Sequence, residues 1–303
     1  MSRGKTLGIG FRILAVCLVF AVCFAIGGAL AGVDRIARTV APVQATPTQL
    51  LLPFVMFCLC VGMVVSYLIL RSSWHGFSLV MAVFFAMYGI STVAAQADSI
   101  FFLSARLPHG MLRALFFQGL IADALFAPLA VLILGEWRAA SSAIASPAPA
   151  RLAASSLAWR IALLVVAFVF LYAFFGYYIA WQNPDLRQYY GGTNFPSFYD
   201  SLKGNWVQRR FLYLLQVFRA LLFVACVFPL IRMLRVSRWE RAAAVALFLS
   251  AWTTILLFPN PLMPMSVARS HFWETLAFSL TFGTLLGWLL CKTTPFGQLA
   301  SSA

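Results

Sequence analysis

Apolar residues run through this chain in blocks of about twenty, with polar residues gathered between them. A helix rises 1.5 Å per residue, so about 20 apolar residues cross the ~30 Å hydrocarbon core of a bilayer. On that pattern the sequence predicts eight helices, over about 11–32, 50–70, 76–97, 111–135, 158–181, 211–233, 242–258 and 270–291. The short alternating segments of a membrane β-barrel are missing. The expected fold is all-α: a polytopic transmembrane helical bundle of about eight spanning helices, forming one integral membrane domain over residues 1–303.

The breaks between blocks carry their own signals. The first block follows Arg3 and Lys5 and ends in Gly27-Gly28-Ala29-Leu30-Ala31-Gly32. A basic start, an apolar stretch and Ala-x-Ala also describe a cleavable signal peptide over 1–31. The block is long enough to span, and Gly28 and Gly32 form a small-xxx-small packing face, so an uncleaved first helix is expected. Residues 99–110 read as a short amphipathic segment, and 136–157, rich in Ala, Ser and Pro, as a flexible linker. The aromatics, glycines and prolines of 182–210 predict a structured loop. Pro259, Pro261 and Pro264 predict a rigid turn, because proline cannot donate a backbone hydrogen bond.

Composition agrees with the pattern. Mean hydropathy is +0.90 and 10% of residues are charged, against about 25% in soluble domains. The net charge of +14 does not imply a nucleic-acid partner: Lys and Arg collect in loops because bilayers reject them and cytoplasmic loops retain them. With the N-terminus inside, 12 of the 22 Lys and Arg fall in inner segments and 9 in outer ones, Arg219 lying within a span. The short loop with Arg232, Arg235, Arg238 and Arg241 weighs most, so both termini are expected on the cytoplasmic side. The six cysteines lie in or at the ends of apolar runs, where cysteine behaves as a small hydrophobe.

Candidate chemistry comes from the polar residues that interrupt apolar blocks. An acid inside such a block is costly and marks a site by default. Glu274 lies in the eighth helix, three residues after His271 and on the same face. The fourth, sixth and eighth helices all start on one side. Counting inward, Glu274 lies roughly 6 Å deep, Gln118 roughly 10 Å and Arg219 roughly 12 Å. Asp123 lies deeper, Gln216 shares a face with Arg219, and Asn260 stands at the rim. These residues could meet beneath 182–210 and 259–269 as an outward-facing polar pocket. The plainer alternative is an Arg219–Glu274 ion pair pinning two helices, with Gln118 and Gln216 as interhelical glue. Asp123 would be protonated or take Arg113 or Arg219, and His271 reads as a peripheral, hydrated residue. His109, His271 and Glu274 could make a weak three-ligand metal set. No metal site and no cofactor is expected, and no serine-nucleophile, phosphate-loop or paired-carboxylate motif occurs.

The segments Arg113-Ala-Leu-Phe-Phe-Gln118-Gly-Leu-Ile121, Gln188-Tyr-Tyr-Gly-Gly-Thr193, Gln216-Val-Phe-Arg219-Ala-Leu-Leu222, Pro259-Asn-Pro-Leu-Met-Pro264 and His271-Phe-Trp-Glu274 resemble a broad group of bacterial polytopic inner-membrane proteins. The resemblance spans roughly the fourth to eighth helices. It implies a bacterial inner-membrane location and brings no activity with it. Three function classes follow from the polar residues: a transporter or solute-binding protein for a small polar or anionic solute, a membrane enzyme acting on a lipid-linked or periplasmic substrate, and an accessory protein whose polar network only locks helices. Transport stands first, with the lipid bilayer as the constant partner and the oligomeric state open.

Overall fold

In the computed structural model, residues 3–40, 45–104, 106–138, 153–260 and 262–290 are described, and all eight expected helices are present. α1 (Arg3–Ala31) starts earlier than expected and ends where Gly32 turns left-handed at φ 72°, folding the short α2 (Val33–Ala37) back. α3 (Pro47–Leu70) begins at a capping box: Thr46 Oγ1 accepts from the Gln49 N–H and the Gln49 side chain accepts from the Thr46 N–H. Pro47 suits the first turn, whose N–H groups have no helical acceptor.

The third expected helix is longer than its apolar block. α4 (Gly76–Met87) continues through a π-helical stretch, Tyr88–Ala94, into α5 (Ala95–Leu103). The first five residues of the stretch expected as a separate amphipathic segment (99–103) therefore belong to this helix. A π turn takes an extra residue and rotates every later side chain around the axis. Downstream follow α6 (Met111–Leu134), α7 (Ala154–Tyr178), a 3₁₀ turn (Ala180–Gln182), α8 (Pro184–Tyr189) and α9 (Phe198–Gln208). The chain closes with α10 (Arg210–Met233), α11 (Arg238–Ala251), which tightens into 3₁₀ over Trp252–Leu257, and α12 (Met265–Leu289). Most of the predicted 136–157 linker (139–152) lies outside the described residues, as do Pro261 and Cys291.

Among the described residues seven helices are long and apolar enough to cross a membrane, so the chain is a multi-pass membrane protein that contacts lipid. The eighth, α12, is 25 residues long but carries Arg269, His271 and Glu274. It lies antiparallel along α11: Arg238 Nε, at the start of α11, donates to the Trp288 carbonyl at the end of α12. The two backbones nearly touch. A Cβ on Gly283 would stand 2.5 Å from Ala246 Cα, so no larger residue fits there without movement. α1 runs antiparallel to α6, with Arg12 donating to the Leu134 carbonyl and Gly27 against the Gln118 backbone. α7 joins α10 to α12 through Phe168, whose ring lies 5.3, 4.8 and 4.9 Å from those of Phe223, Phe278 and Phe282. This core holds α7, α10 and α12 together, and α5 packs against α10.

Candidate functional site: a charged cluster under Tyr190

Asp98 sits on α5, one turn beyond the π stretch, and faces α10. Its Oδ2 lies 2.7 Å from an Arg219 guanidinium nitrogen. The other terminal nitrogen of Arg219 donates to Gln216 Oε1 at 2.9 Å, one turn back on the same helix. Gln216 is fully buried, and the Arg219 side chain is only 13% exposed. The guanidinium carbon lies 5.7 Å from the centre of the Phe168 ring and 5.9 Å from that of Phe223, so the cation is held by a carboxylate, an amide and two π faces.

A second chain of bonds starts on α12. His271 Nδ1 is 2.7 Å from Glu274 Oε2 and His271 Nε2 is 3.0 Å from the Tyr190 hydroxyl. An ionised Glu274 accepts the Nδ1 proton, which leaves Nε2 as the acceptor of the Tyr190 O–H. The two chains are near neighbours: the charges of Glu274 and His271 act on Asp98. Tyr172, on α7, lies where Asp98, Glu274, Arg219 and Tyr190 all act on it. α7 comes close enough that a Cβ on Gly176 would stand 3.2 Å from Glu274 Oε1.

The segment after α7 forms the cover. Tyr190 packs on Phe102 at 6.1 Å and Trp181 at 6.3 Å between ring centres. Burial, with the nearby charges of Tyr189, Glu274 and Asp98, raises its phenol above the usual range. Tyr189 donates to the Leu262 carbonyl at 2.7 Å, and the Arg106 guanidinium lies 4.2 Å over its ring. The Asn183 amide donates to Ser270 Oγ at 2.8 Å and to the Ser266 carbonyl at 3.1 Å. These contacts tie the 182–192 segment to α5 and α12 at once.

Three buried polar atoms of this cluster have no hydrogen-bond partner among the described residues: Asp98 Oδ1, Gln216 Nε2 and Arg219 Nε. Roughly 90% or more of buried polar groups in proteins are hydrogen-bonded, so three orphans within one ion-pair network mark a place where the protein leaves bonding capacity unused.

Of the residues singled out from sequence, Gln216, Arg219, His271 and Glu274 come together here. Their pairing differs from expectation: Arg219 binds Asp98, and Glu274 binds His271. His271 is therefore a central link, not a peripheral residue. Asn260 stays in the turn after α11, its side chain accepting from the Leu262 N–H at 3.0 Å beside the Tyr189 contact. Gln118 and Asp123 lie elsewhere. α6 packs on α1 and α4, so the Gln118 amide faces Gly28. Asp123 is buried against the π stretch, 3.4 Å from Ser91 Oγ, and takes neither Arg113 nor Arg219. Asp98, Tyr172 and Tyr190 are the members that sequence reasoning missed. A signal existed for two of them: the third and fifth helices end on the side where the sixth and eighth begin, so polar residues near those ends reach the same depth.

Among the described residues no three His, Cys, Asp or Glu side chains converge as a metal set, and His109 does not join His271 and Glu274. The charged and titratable groups of the cluster are two carboxylates, one guanidinium and one imidazole. Comparison of the chain with protein-family models, with curated proteins and with solved structures gave no match.

Proposed function

We propose that the chain is a proton-linked carrier for a small polar solute, set in a bacterial inner membrane with both termini on the cytoplasmic side. The observation that carries this reading is the Asp98–Arg219 ion pair lying beside the hydrogen-bonded His271–Glu274 pair, with polar atoms unpartnered among the described residues. Ionisable groups within apolar helices are costly and recur along ion and proton pathways. Arg219 already has a carboxylate, so a free anion would have to compete with Asp98. A neutral polar or zwitterionic solute, bonding to Asp98 Oδ1 and Gln216 Nε2, suits the cluster better.

Glu274 is the coupling group. A proton on its carboxylate removes a negative charge from the cluster and weakens the hold on His271 Nδ1. The imidazole can then release the Tyr190 hydroxyl, which frees the cover at the mouth. Proton binding and opening of the site are thereby joined through one ring.

The test uses purified protein in liposomes with a trapped pH dye and a panel of neutral and zwitterionic amino acids, polyols and small sugars. The expected result is solute-dependent proton movement that Glu274→Gln abolishes while the protein keeps its helical content. Equal signals from wild type, Glu274→Gln and empty liposomes across the panel would overturn the reading and leave the network as a helix lock.

A further inference from the structure

We propose that the groove between α1, α2 and the start of α6 binds an anionic phospholipid, part of an acyl chain lying along the groove and its phosphate on Arg113. It is a groove open on one side, with about 240 Å³ between its walls, where Leu30 and Phe117 are exposed. Its walls are Leu30 and Ala31 of α1, Ile36 of α2, and Ala114, Phe117 and Ile121 of α6. Arg113 is the only charged residue among the described residues of the wall; it is exposed and in no ion pair with any described residue. Asp34, the acid of α2, does not pair with it.

The sequence places the parts in line. Arg113, Phe117 and Ile121 are four apart and form one stripe along α6. From Arg113 to Ile121 the helix advances roughly 12 Å, close to the ~15 Å depth of one leaflet's hydrocarbon. A chain anchored at Arg113 would thus run along Phe117 and Ile121 toward the bilayer centre. α6 starts at Met111 behind Gly110, which provides no side-chain cap. The first-turn N–H groups and the positive end of the helix therefore stand near the same guanidinium, which favours an anion at the mouth. The left-handed Gly32 turns α2 back so that Ile36 closes the far wall. Apolar walls below a single cation at the membrane surface match a lipid phosphate carrying a tail, and match free phosphate poorly. The site stands on the α1 side of α6, so it is independent of the carrier reading.

Lipid binding is measured by native mass spectrometry on the full-length protein in neutral detergent. Dioleoyl phosphatidylglycerol, dioleoyl phosphatidylcholine and inorganic phosphate are the probes. Wild type is expected to retain the anionic lipid about fivefold more than the zwitterionic one, the effect of one arginine near the surface. Arg113→Gln should remove that preference and Arg113→Lys should keep most of it. Ala31→Phe, which narrows the groove but spares the cation, should lower retention of the anionic lipid. Inorganic phosphate should not displace it. Equal retention of the two lipids by wild type, an unchanged preference in Arg113→Gln, or full retention in Ala31→Phe would each overturn the proposal. Displacement by inorganic phosphate would reassign Arg113 to a free-anion site and overturn the lipid assignment too.

Discussion

Asp98 and Arg219 are 121 residues apart in sequence and 2.7 Å apart at their charged atoms. Arg219 is the cation of the cluster, and Asp98, from the last turns of the α4–α5 helix, is its counter-ion. Their separation in sequence is bridged by the π stretch: without the extra residue at Tyr88–Ala94, the Asp98 side chain would point to another face of its helix.

Arg219→Gln should destabilise the protein by roughly 2–4 kcal/mol, because it leaves the Asp98 carboxylate without its partner. The estimate sits at the lower end for buried pairs because the Asp98 side chain is 33% exposed. Asp98→Asn combined with Arg219→Gln should recover most of that loss in thermal unfolding in detergent. A double variant no more stable than Arg219→Gln alone would mean that the pair is not the cause.

Tyr190→Phe removes the O–H that His271 Nε2 accepts and leaves the ring contacts with Phe102 and Trp181 in place. The loss is about 1 kcal/mol. It should appear locally, as faster amide hydrogen exchange over 182–192 with little change in global melting. Protection equal to wild type would detach the cover from His271.

Asp123→Asn should leave solute-linked proton movement intact, since Asp123 bonds Ser91 away from the Arg219 cluster. Glu274→Gln should abolish it. The contrast separates two acids that the sequence alone treats as equals, and the liposome assay reads both.

Gly283→Ala should lower stability by roughly 1–3 kcal/mol, the usual cost of overpacking. The added methyl would meet Ala246 Cα at 2.5 Å, and backbone cannot swing aside as a side-chain tip can. Gly8→Ala is the control, because a Cβ there meets nothing within 4 Å. Equal melting temperatures for the two variants would show that α11 and α12 can part without cost.

Thr46→Ala removes the Oγ1 that accepts from the Gln49 N–H, one of the two bonds of the α3 capping box, and should cost about 1 kcal/mol, read as a small fall in melting temperature. The site is remote from the cluster, so the proton-movement assay should not change.

What the sequence determined by itself was the list of helices, because a bilayer demands about 20 apolar residues for each crossing and tolerates few other structures. It also marked Arg219 and Glu274 as costly residues toward one end of the bundle, with His271 as a peripheral neighbour, since depth follows from counting at 1.5 Å per residue. Tertiary structure alone decided their partners. Depth says nothing about rotation around a helix axis, nor about which helices are neighbours. α6 reaches the right depth with Gln118 and Asp123 but packs on α1 and α4, while α5 and α7 supply Asp98 and Tyr172. The π stretch sets the rotation that brings Asp98 to Arg219, and such a turn depends on packing between helices, so no hydrophobic period along the chain announces it.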